Sequence, residues 1–182
     1  MAGALTNTGT LSIGSGDISA SSSVTASSFV NRGTVELIGG FTSLDVSGAT
    51  TNDGSISIAT DTEEFAGAVG GTGSFSLSSA NLQFDSSVSV GQTINETGAD
   101  ALILEHAQSF AATIKGFGTD DTIDAANFLF SGTPTFNFAE NSGGTGGTLT
   151  LQDGSLTANI LMSGNIRTQI SPSPGTAGPA RW

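Results

Sequence analysis

A seven-residue pattern recurs four times in the first half of the chain: Asn or Gly, any residue, Gly, Thr or Ser, then two apolar residues separated by one residue. The copies occupy 7–13, 31–37, 52–58 and, in a weaker form, 71–77, so their central glycines are about 19 to 24 residues apart. Asn and Gly tolerate the backbone angles of tight corners. Alternating apolar residues give a strand with one buried face. Each copy therefore predicts a corner followed by a half-buried strand.

A repeat of about 20 residues cannot bury its own apolar face, and stacking successive repeats creates a continuous core. The pattern thus predicts an all-β protein, a right-handed parallel β-helix (solenoid) with coils of about 20 residues and an atypical C-terminal cap. We expect coils with Asn-x-Gly-Thr/Ser corners over 1–94, further coils and a capping β-hairpin region over 95–170, and a Pro-rich flexible tail over 171–182.

The charge balance excludes several classes of partner. The chain carries 16 acidic and four basic residues, for a net charge of −12. Binding to nucleic acids depends on Lys and Arg, which neutralise phosphates, so no nucleic acid is expected as a partner. No apolar run reaches the roughly 18 residues of a membrane-spanning helix, so no membrane insertion is expected. The absence of Cys excludes disulfides and thiolate chemistry.

One acidic cluster is the candidate metal site. Asp120, Asp121 and Asp124 follow two glycines in the segment 116–124, and calcium prefers several carboxylate and turn carbonyl oxygens. The alternative is a solvated turn in which one Asp caps a backbone N–H. Apart from calcium, we expect no cofactor.

The sequence offers little for catalysis, and we do not expect an enzyme. His106 is the only histidine, and no Gly-x-Ser-x-Gly motif accompanies it. Glu63 and Glu64 follow Asp61 in what reads as a polar loop, and adjacent residues of a strand would point to opposite faces. The alternative is a β-helix carbohydrate-active enzyme of the polysaccharide lyase or glycosidase kind.

Thr-rich faces can also bind ice, but the Thr residues here form no regular Thr-x-Thr ladder.

Three groups of residues together carry a resemblance. These are the Asn-x-Gly-Thr-apolar-x-apolar coils, the segment Ile114–Asp124 (IKGFGTDDTID) and the segment Leu149–Ile160 (LTLQDGSLTANI). In this order they resemble the passenger regions of bacterial autotransporters, filamentous-haemagglutinin-like adhesins and type I-secreted repeat proteins, over most of 5–166. The Pro- and Gly-rich end departs from the autotransporter pattern, since it cannot form the strand of an outer-membrane barrel.

The resemblance implies an extracellular or bacterial cell-surface protein that acts in adhesion, surface coating or matrix building. From it we expect a structural or adhesive solenoid with a glycan or a host cell surface as its partner. Unpaired sheet edges at the solenoid ends also favour self-association into fibres or a surface layer.

Overall fold

The chain is a β-solenoid of about six turns with coils of about 20 residues, as the repeats predict. The computed structural model describes residues 2–14, 21–128, 135–164 and 166, together with the backbone of residues 180 and 181. Each coil contributes one strand to each of up to three sheets, and the strands of successive coils pair in parallel. No helix in these ranges has the length and hydropathy needed to cross a bilayer.

Sheet A is the shortest sheet, and it lies ahead of the Asn-x-Gly corners. Its strands are β1 (Ala4–Asn7), β4 (Ser28–Asn31), β7 (Thr50–Asn52) and β10 (Val69–Gly70). Sheet B follows the corners. Its parallel strands are β2 (Thr10–Gly14), β5 (Thr34–Ile38), β8 (Ser55–Ala59), β11 (Ser74–Ser78), β13 (Thr93–Thr97) and β15 (Thr113–Lys115).

Sheet C closes each coil. Its strands are β3 (Ser22–Ala26), β6 (Thr42–Val46), β9 (Thr62–Phe65), β12 (Asn81–Phe84), β14 (Ala101–Leu104) and β16 (Thr122–Ala125). The first coil thus holds β1, β2 and β3, the second β4, β5 and β6, and the third β7, β8 and β9. A short 3-10 turn, Ala107–Ser109, follows β14.

The C-terminal end of the solenoid changes to antiparallel pairing. Strands β17 (Thr135–Glu140), β18 (Gly146–Asp153) and β19 (Leu156–Ser163) form a meander, and β19 continues sheet B beside β15. A two-residue strand β20 (Ala180–Arg181) pairs antiparallel with β16. The predicted flexible tail otherwise falls on residues outside those that the structure describes.

The core runs through the centre of the coils because alternate residues of each strand point inward. One inward row of sheet B contains Val35, Ile56, Phe75, Ile94 and Ile114, all fully buried. A cluster of phenylalanines fills the middle of the core, with ring centroids 5.3 to 6.1 Å apart: Phe65, Phe75, Phe84 and Phe110. Edge-to-face and tilted contacts of this kind stabilise a core beyond simple burial.

The corner glycines are required by the coil that precedes each of them. A Cβ atom on Gly33 would lie 2.0 Å from the carbonyl oxygen of Gly9, and one on Gly54 would lie 2.0 Å from that of Gly33. Gly73 meets Gly54 in the same way, at 2.3 Å. The same carbonyls accept hydrogen bonds from the next coil, such as Thr34 N–H to Gly9 O at 2.8 Å. Only a residue without a side chain permits this approach.

The corner asparagines form a buried ladder along the solenoid. Asn7 Nδ2 donates to Asn31 Oδ1 at 2.9 Å, and Asn31 Nδ2 donates to Asn52 Oδ1 at 2.9 Å. Asn52 Nδ2 donates to Gln92 Oε1 at 3.1 Å. Each asparagine oxygen also accepts the N–H of the glycine two residues later, which fixes the corner.

Candidate functional site

Sheet C is interrupted between the second and third coils. Strands β9 and β12 pair at four positions, whereas β6 and β9 keep only the contact between Val46 and Phe65. Two carboxylates replace the missing ladder. Asp61 Oδ2 accepts the N–H of Thr42 at 2.7 Å, and Glu63 accepts the N–H of Leu44 at 3.1 and 3.2 Å.

A groove of about 400 Å³ lies over this interruption. Seven of its nine lining residues carry a hydroxyl or carboxyl group: Thr25, Ser43, Ser47, Thr62, Asp45, Glu63 and Glu64. None of the side chains that line it is basic. The groove therefore suits a neutral or cationic ligand that donates hydrogen bonds, and it repels anions.

Two of the carboxyl groups that line the groove, those of Glu63 and Glu64, have raised pKa values. Burial raises the pKa of Glu63 to about 8; the N–H of Leu44 partly opposes this, and the charges of Asp45 and Asp61 add to it. A hydrogen bond with Asp85, together with the charge of that residue, raises the pKa of Glu64. At neutral pH Glu63 is therefore mostly a protonated acid beside carboxylates, which is one requirement for general acid catalysis.

A second acidic region lies at the corner between β15 and β16. Asp121 Oδ1 accepts the N–H of Asp100 at 2.9 Å, and its Oδ2 accepts the N–H of Gly118 at 2.6 Å. Asp100 in turn accepts the N–H groups of Ala80 at 2.8 Å and Thr97 at 2.7 Å. These carboxylates lock the backbone of successive corners in place.

Glu96 lies beside this corner, in the core. It follows Leu77 in an inward row of sheet B, and only 2% of its surface is exposed. Neither carboxyl oxygen has a hydrogen-bond partner among the described residues. Burial, with smaller contributions from Asp121 and Asp100, raises the pKa of Glu96 to about 9. The side chain is therefore neutral at physiological pH.

The structure separates the roles of the three predicted calcium ligands. Asp120 is exposed, Asp121 is buried and bonded to two N–H groups, and Asp124 is buried in β16. Among the residues that the structure describes, no group of three or more His, Cys, Asp or Glu side chains is arranged to hold a metal ion. Calcium at these residues remains a prediction that the bonding of Asp121 does not favour, because its oxygens already face N–H donors.

The structure also locates the three residues weighed as candidates for catalysis, His106, Glu63 and Glu64. His106 is exposed ahead of the 3-10 turn and forms no capping hydrogen bond with its side chain. Glu63 and Glu64 lie in strand β9, so the expected polar loop is wrong, but they do point to opposite faces, one inward and one outward. Their alternation with Phe65 was visible in the sequence. A carboxyl group in a core row was not expected, because burying its charged form is costly.

The outer face of sheet B carries an array that we call the hydroxyl row. The outward residues of six successive coils lie in register: Thr10, Thr34, Ser55, Ser74, Thr93 and Thr113. The adjacent outward row is mixed, since Glu36, Asn95 and Lys115 interrupt its serines. The hydroxyls thus form one regular row. As the sequence indicates, they do not form a Thr-x-Thr ladder.

No model of a known protein family matches the sequence, and no characterised protein matches it closely enough to indicate its function. The solenoid itself is consistent with a β-helix repeat protein. Two features of the described residues have the chemistry to meet a ligand: the hydroxyl row of sheet B and the groove of sheet C.

Proposed function

We propose that the chain is a structural and adhesive β-solenoid of an extracellular bacterial surface protein. The hydroxyl row carries the proposal, because it repeats one donor and acceptor group in six consecutive coils. Stacked parallel strands are about 4.8 Å apart, so the row presents hydroxyls at a constant spacing along the rod. Regular, individually weak contacts of this kind gain strength when many form together.

A neutral glycan on a cell surface is the partner that fits this face. Its hydroxyls match the Ser and Thr side chains as both donors and acceptors. Acidic polymers are disfavoured because the chain has a net charge of −12. The resemblance to adhesins supports the same partner and a location outside the cell.

Binding to insoluble neutral polysaccharides and to whole cells tests the proposal. A variant with Thr34→Val, Ser55→Ala, Ser74→Ala and Thr93→Val removes four hydroxyls from the row with little change in shape. We expect it to bind at least tenfold more weakly than the wild type in a co-sedimentation assay. The control, Ser109→Ala with Thr119→Val at two exposed positions outside the row and the groove, should bind normally. Equal binding of both variants, or no binding of the wild type, would reject the hydroxyl row as the adhesive face.

Self-association into fibres or a surface layer is a separate prediction, and it would join two solenoid ends that differ. The first coil leaves β1, β2 and β3 as edge strands, whereas the antiparallel meander β17–β19 follows the last coil. Self-association through the ends stays a prediction, and electron microscopy of the purified chain with and without millimolar calcium tests it.

The groove of sheet C favours a second candidate, a carbohydrate-active enzyme. Glu63, a protonated acid, lines the groove together with Asp45, and glycoside hydrolysis uses one such acid with a second carboxylate. The release of reducing ends from neutral polysaccharides tests it. Glu63→Gln should abolish the release while leaving binding to the hydroxyl row unchanged. A wild-type protein that releases no sugar contradicts this candidate.

A further inference from the structure

The first coil forms one end of the described solenoid, which we call the N-terminal edge and which consists of β1, its Asn-x-Gly corner, β2 and β3. Each of these strands lies at the end of its sheet and pairs on one side only. Leu5, Leu11 and Val24 pack against the core from this coil but stay half-buried. An edge of this kind presents unpaired backbone groups beside an incompletely covered core.

The asparagine ladder runs in one direction and is incomplete at this edge. Asn31 Oδ1 accepts two N–H groups, from Asn7 Nδ2 at 2.9 Å and from Gly33 N at 3.2 Å. Asn52 Oδ1 likewise accepts both Asn31 Nδ2 and Gly54 N. Asn7 Oδ1 accepts Gly9 N at 3.1 Å, and no side-chain amide of the described residues donates to it. The ladder thus ends on a buried acceptor for which the described residues supply no second donor.

Gly9 gives an independent indication at the same edge. The equivalent Gly33, Gly54 and Gly73 are required because the carbonyl oxygen of the preceding coil occupies the space of a Cβ. A Cβ on Gly9 would meet nothing within 4 Å, and its φ lies outside the left-handed region. Nothing in its own coil therefore requires a glycine. Gly9 leaves the space that the carbonyl group of a further coil would occupy at this edge.

We propose that the N-terminal edge binds a further coil that carries an Asn-x-Gly or Gln-x-Gly corner. The partner's side-chain amide donates to Asn7 Oδ1, and the carbonyl of its corner glycine lies over Gly9. That carbonyl accepts the N–H of Thr10, as Gly9 O accepts the N–H of Thr34. The partner strand runs parallel to β1 and covers Leu5. The site is distinct from the hydroxyl row, so this inference stands apart from the proposed adhesion.

A second copy of the chain matches this edge poorly. Two N-terminal edges that meet face to face place the acceptor Asn7 Oδ1 against its own equivalent. At the other end of the solenoid, Ala112 occupies the position after Gln92 in the corner row, so among the described residues no side-chain amide continues that row. Strand β19 also pairs in parallel with β15 there and covers its edge. A coil with a free side-chain amide completes the ladder.

A tethered coil tests whether the edge accepts such a partner. Residues 28–49 are duplicated directly ahead of Leu5, so that the added Ala49 joins Leu5 as Ala49 joins Thr50 in the chain. We expect the midpoint of thermal unfolding to rise by at least 3 °C and amide exchange of β1 and β2 to slow. Gly9→Ala should leave the parent protein within about 1 °C of wild type and remove the gain in the extended protein. Gly70→Ala, which also meets nothing within 4 Å, should affect both proteins equally.

A free peptide tests binding by a separate molecule. The probe is a fluorescently labelled peptide of residues 28–38, which contains Asn31 and Gly33, and its anisotropy is measured against the full chain. We expect saturable binding that Gly9→Ala weakens at least tenfold and Gly70→Ala does not change. The proposal is overturned if the peptide fails to bind. It is overturned equally if Gly9→Ala preserves the higher unfolding midpoint of the extended protein or the affinity for the peptide. It is also overturned if sedimentation shows a dimer of the chain that Gly9→Ala dissociates.

Discussion

Single glycines decide whether successive coils can stack. At Gly33 the backbone carbonyl of Gly9 fills the space that any side chain needs, and it also bonds to Thr34. The requirement arises from a residue 24 positions away in the sequence, not from the local turn. The same residue type at Gly9 meets no such atom, so the two positions form a natural comparison.

Gly33→Ala should strongly destabilise the protein. Its Cβ would lie 2.0 Å from one backbone oxygen and 2.8 Å from a backbone nitrogen, and neither atom can move without displacing a coil. We expect a loss of about 2–3 kcal/mol in the free energy of unfolding, measured by urea denaturation. Gly9→Ala, as the control, should be neutral or slightly stabilising because it restricts the unfolded chain. Equal effects at the two positions would show that the coil contact does not control the corner.

Glu96 is a single residue whose replacement should stabilise the fold. It occupies a core row after Leu37, Ile58 and Leu77, with no hydrogen-bond partner in the described part of the chain. Glu96→Leu removes a buried polar group and restores the row. We expect a gain of about 1–3 kcal/mol at pH 8 in urea denaturation. Glu36→Leu, on the outer face of sheet B, is the control and should change stability little. A loss of stability in Glu96→Leu would indicate that the carboxyl group has a partner in the folded protein.

At the scale of the elements, the asparagine ladder joins sheets A and B across the first coils. Asn31 takes part in four hydrogen bonds, with Asn7, Asn52, Gly33 and Ser55. Asn31→Ala should cost about 2–4 kcal/mol, because it leaves several buried groups unpaired. Asn31→Asp should also be destabilising, since a carboxylate cannot donate to Asn52.

Asn95→Ala is the matched control for the ladder. Asn95 lies on the outer face of sheet B and donates one hydrogen bond, to Phe75 O at 3.1 Å. We expect its loss to cost no more than about 1 kcal/mol in the same urea titration. If Asn31→Ala costs no more than this control, the ladder does not contribute to stability as a unit.

The corners and strands were predictable from the sequence, but their long-range bonding was not. The Asn-x-Gly pattern placed Asn7, Asn31 and Asn52 at corners, because the local backbone there needs those residue types. The fourth copy has Gly71 in place of Asn, and Gln92 supplies the amide from a later coil, 40 residues from Asn52. No local pattern marks that substitution. It depends on the length of the Gln side chain and the register of the stack.

The groove and the buried acids were harder to predict for a related reason. The alternation of Glu63 with Phe65 indicates an inward side chain, yet the cost of burying a charge argues against it. The N–H of Leu44 offsets part of the cost of burial, because it donates to the carboxyl group of Glu63 where the sheet is interrupted. This interaction joins residues of two coils, 19 positions apart in the sequence. The sequence of neither strand alone therefore predicts it.

For the whole molecule, the buried acids set how stability depends on pH. The pKa values of Glu63 and Glu96 are raised from 4.5 to about 8 and about 9 in the folded protein. The folded state therefore binds more protons than the unfolded state between these values, and its stabilisation is complete below pH 4.5. Stability falls as pH rises from about 5 to 8, by up to about 1.4 kcal/mol per pH unit for each group. Urea titrations at pH 5, 6.5 and 8 measure the slope.

The double variant Glu63→Gln with Glu96→Gln isolates this effect. It keeps the shape of both side chains and removes their titration, so we expect a markedly flatter profile over the same range. The control pair Glu36→Gln with Glu105→Gln, at two half-buried positions, should leave the slope unchanged. A slope that persists in the first variant would assign the pH dependence to other groups.

The interruption of sheet C also determines how the rod responds to mechanical load. A force along the solenoid axis pulls on the hydrogen bonds between successive coils in all three sheets at once. Between the second and third coils, sheet C opposes that force with one backbone contact, Val46 to Phe65, and with two carboxyl side chains. The Asn31–Asn52 pair holds the same two coils together at the opposite corner. Under this load the two coils therefore separate first on the sheet C side and rotate about the asparagine corner. The rod bends at this fixed position before it breaks.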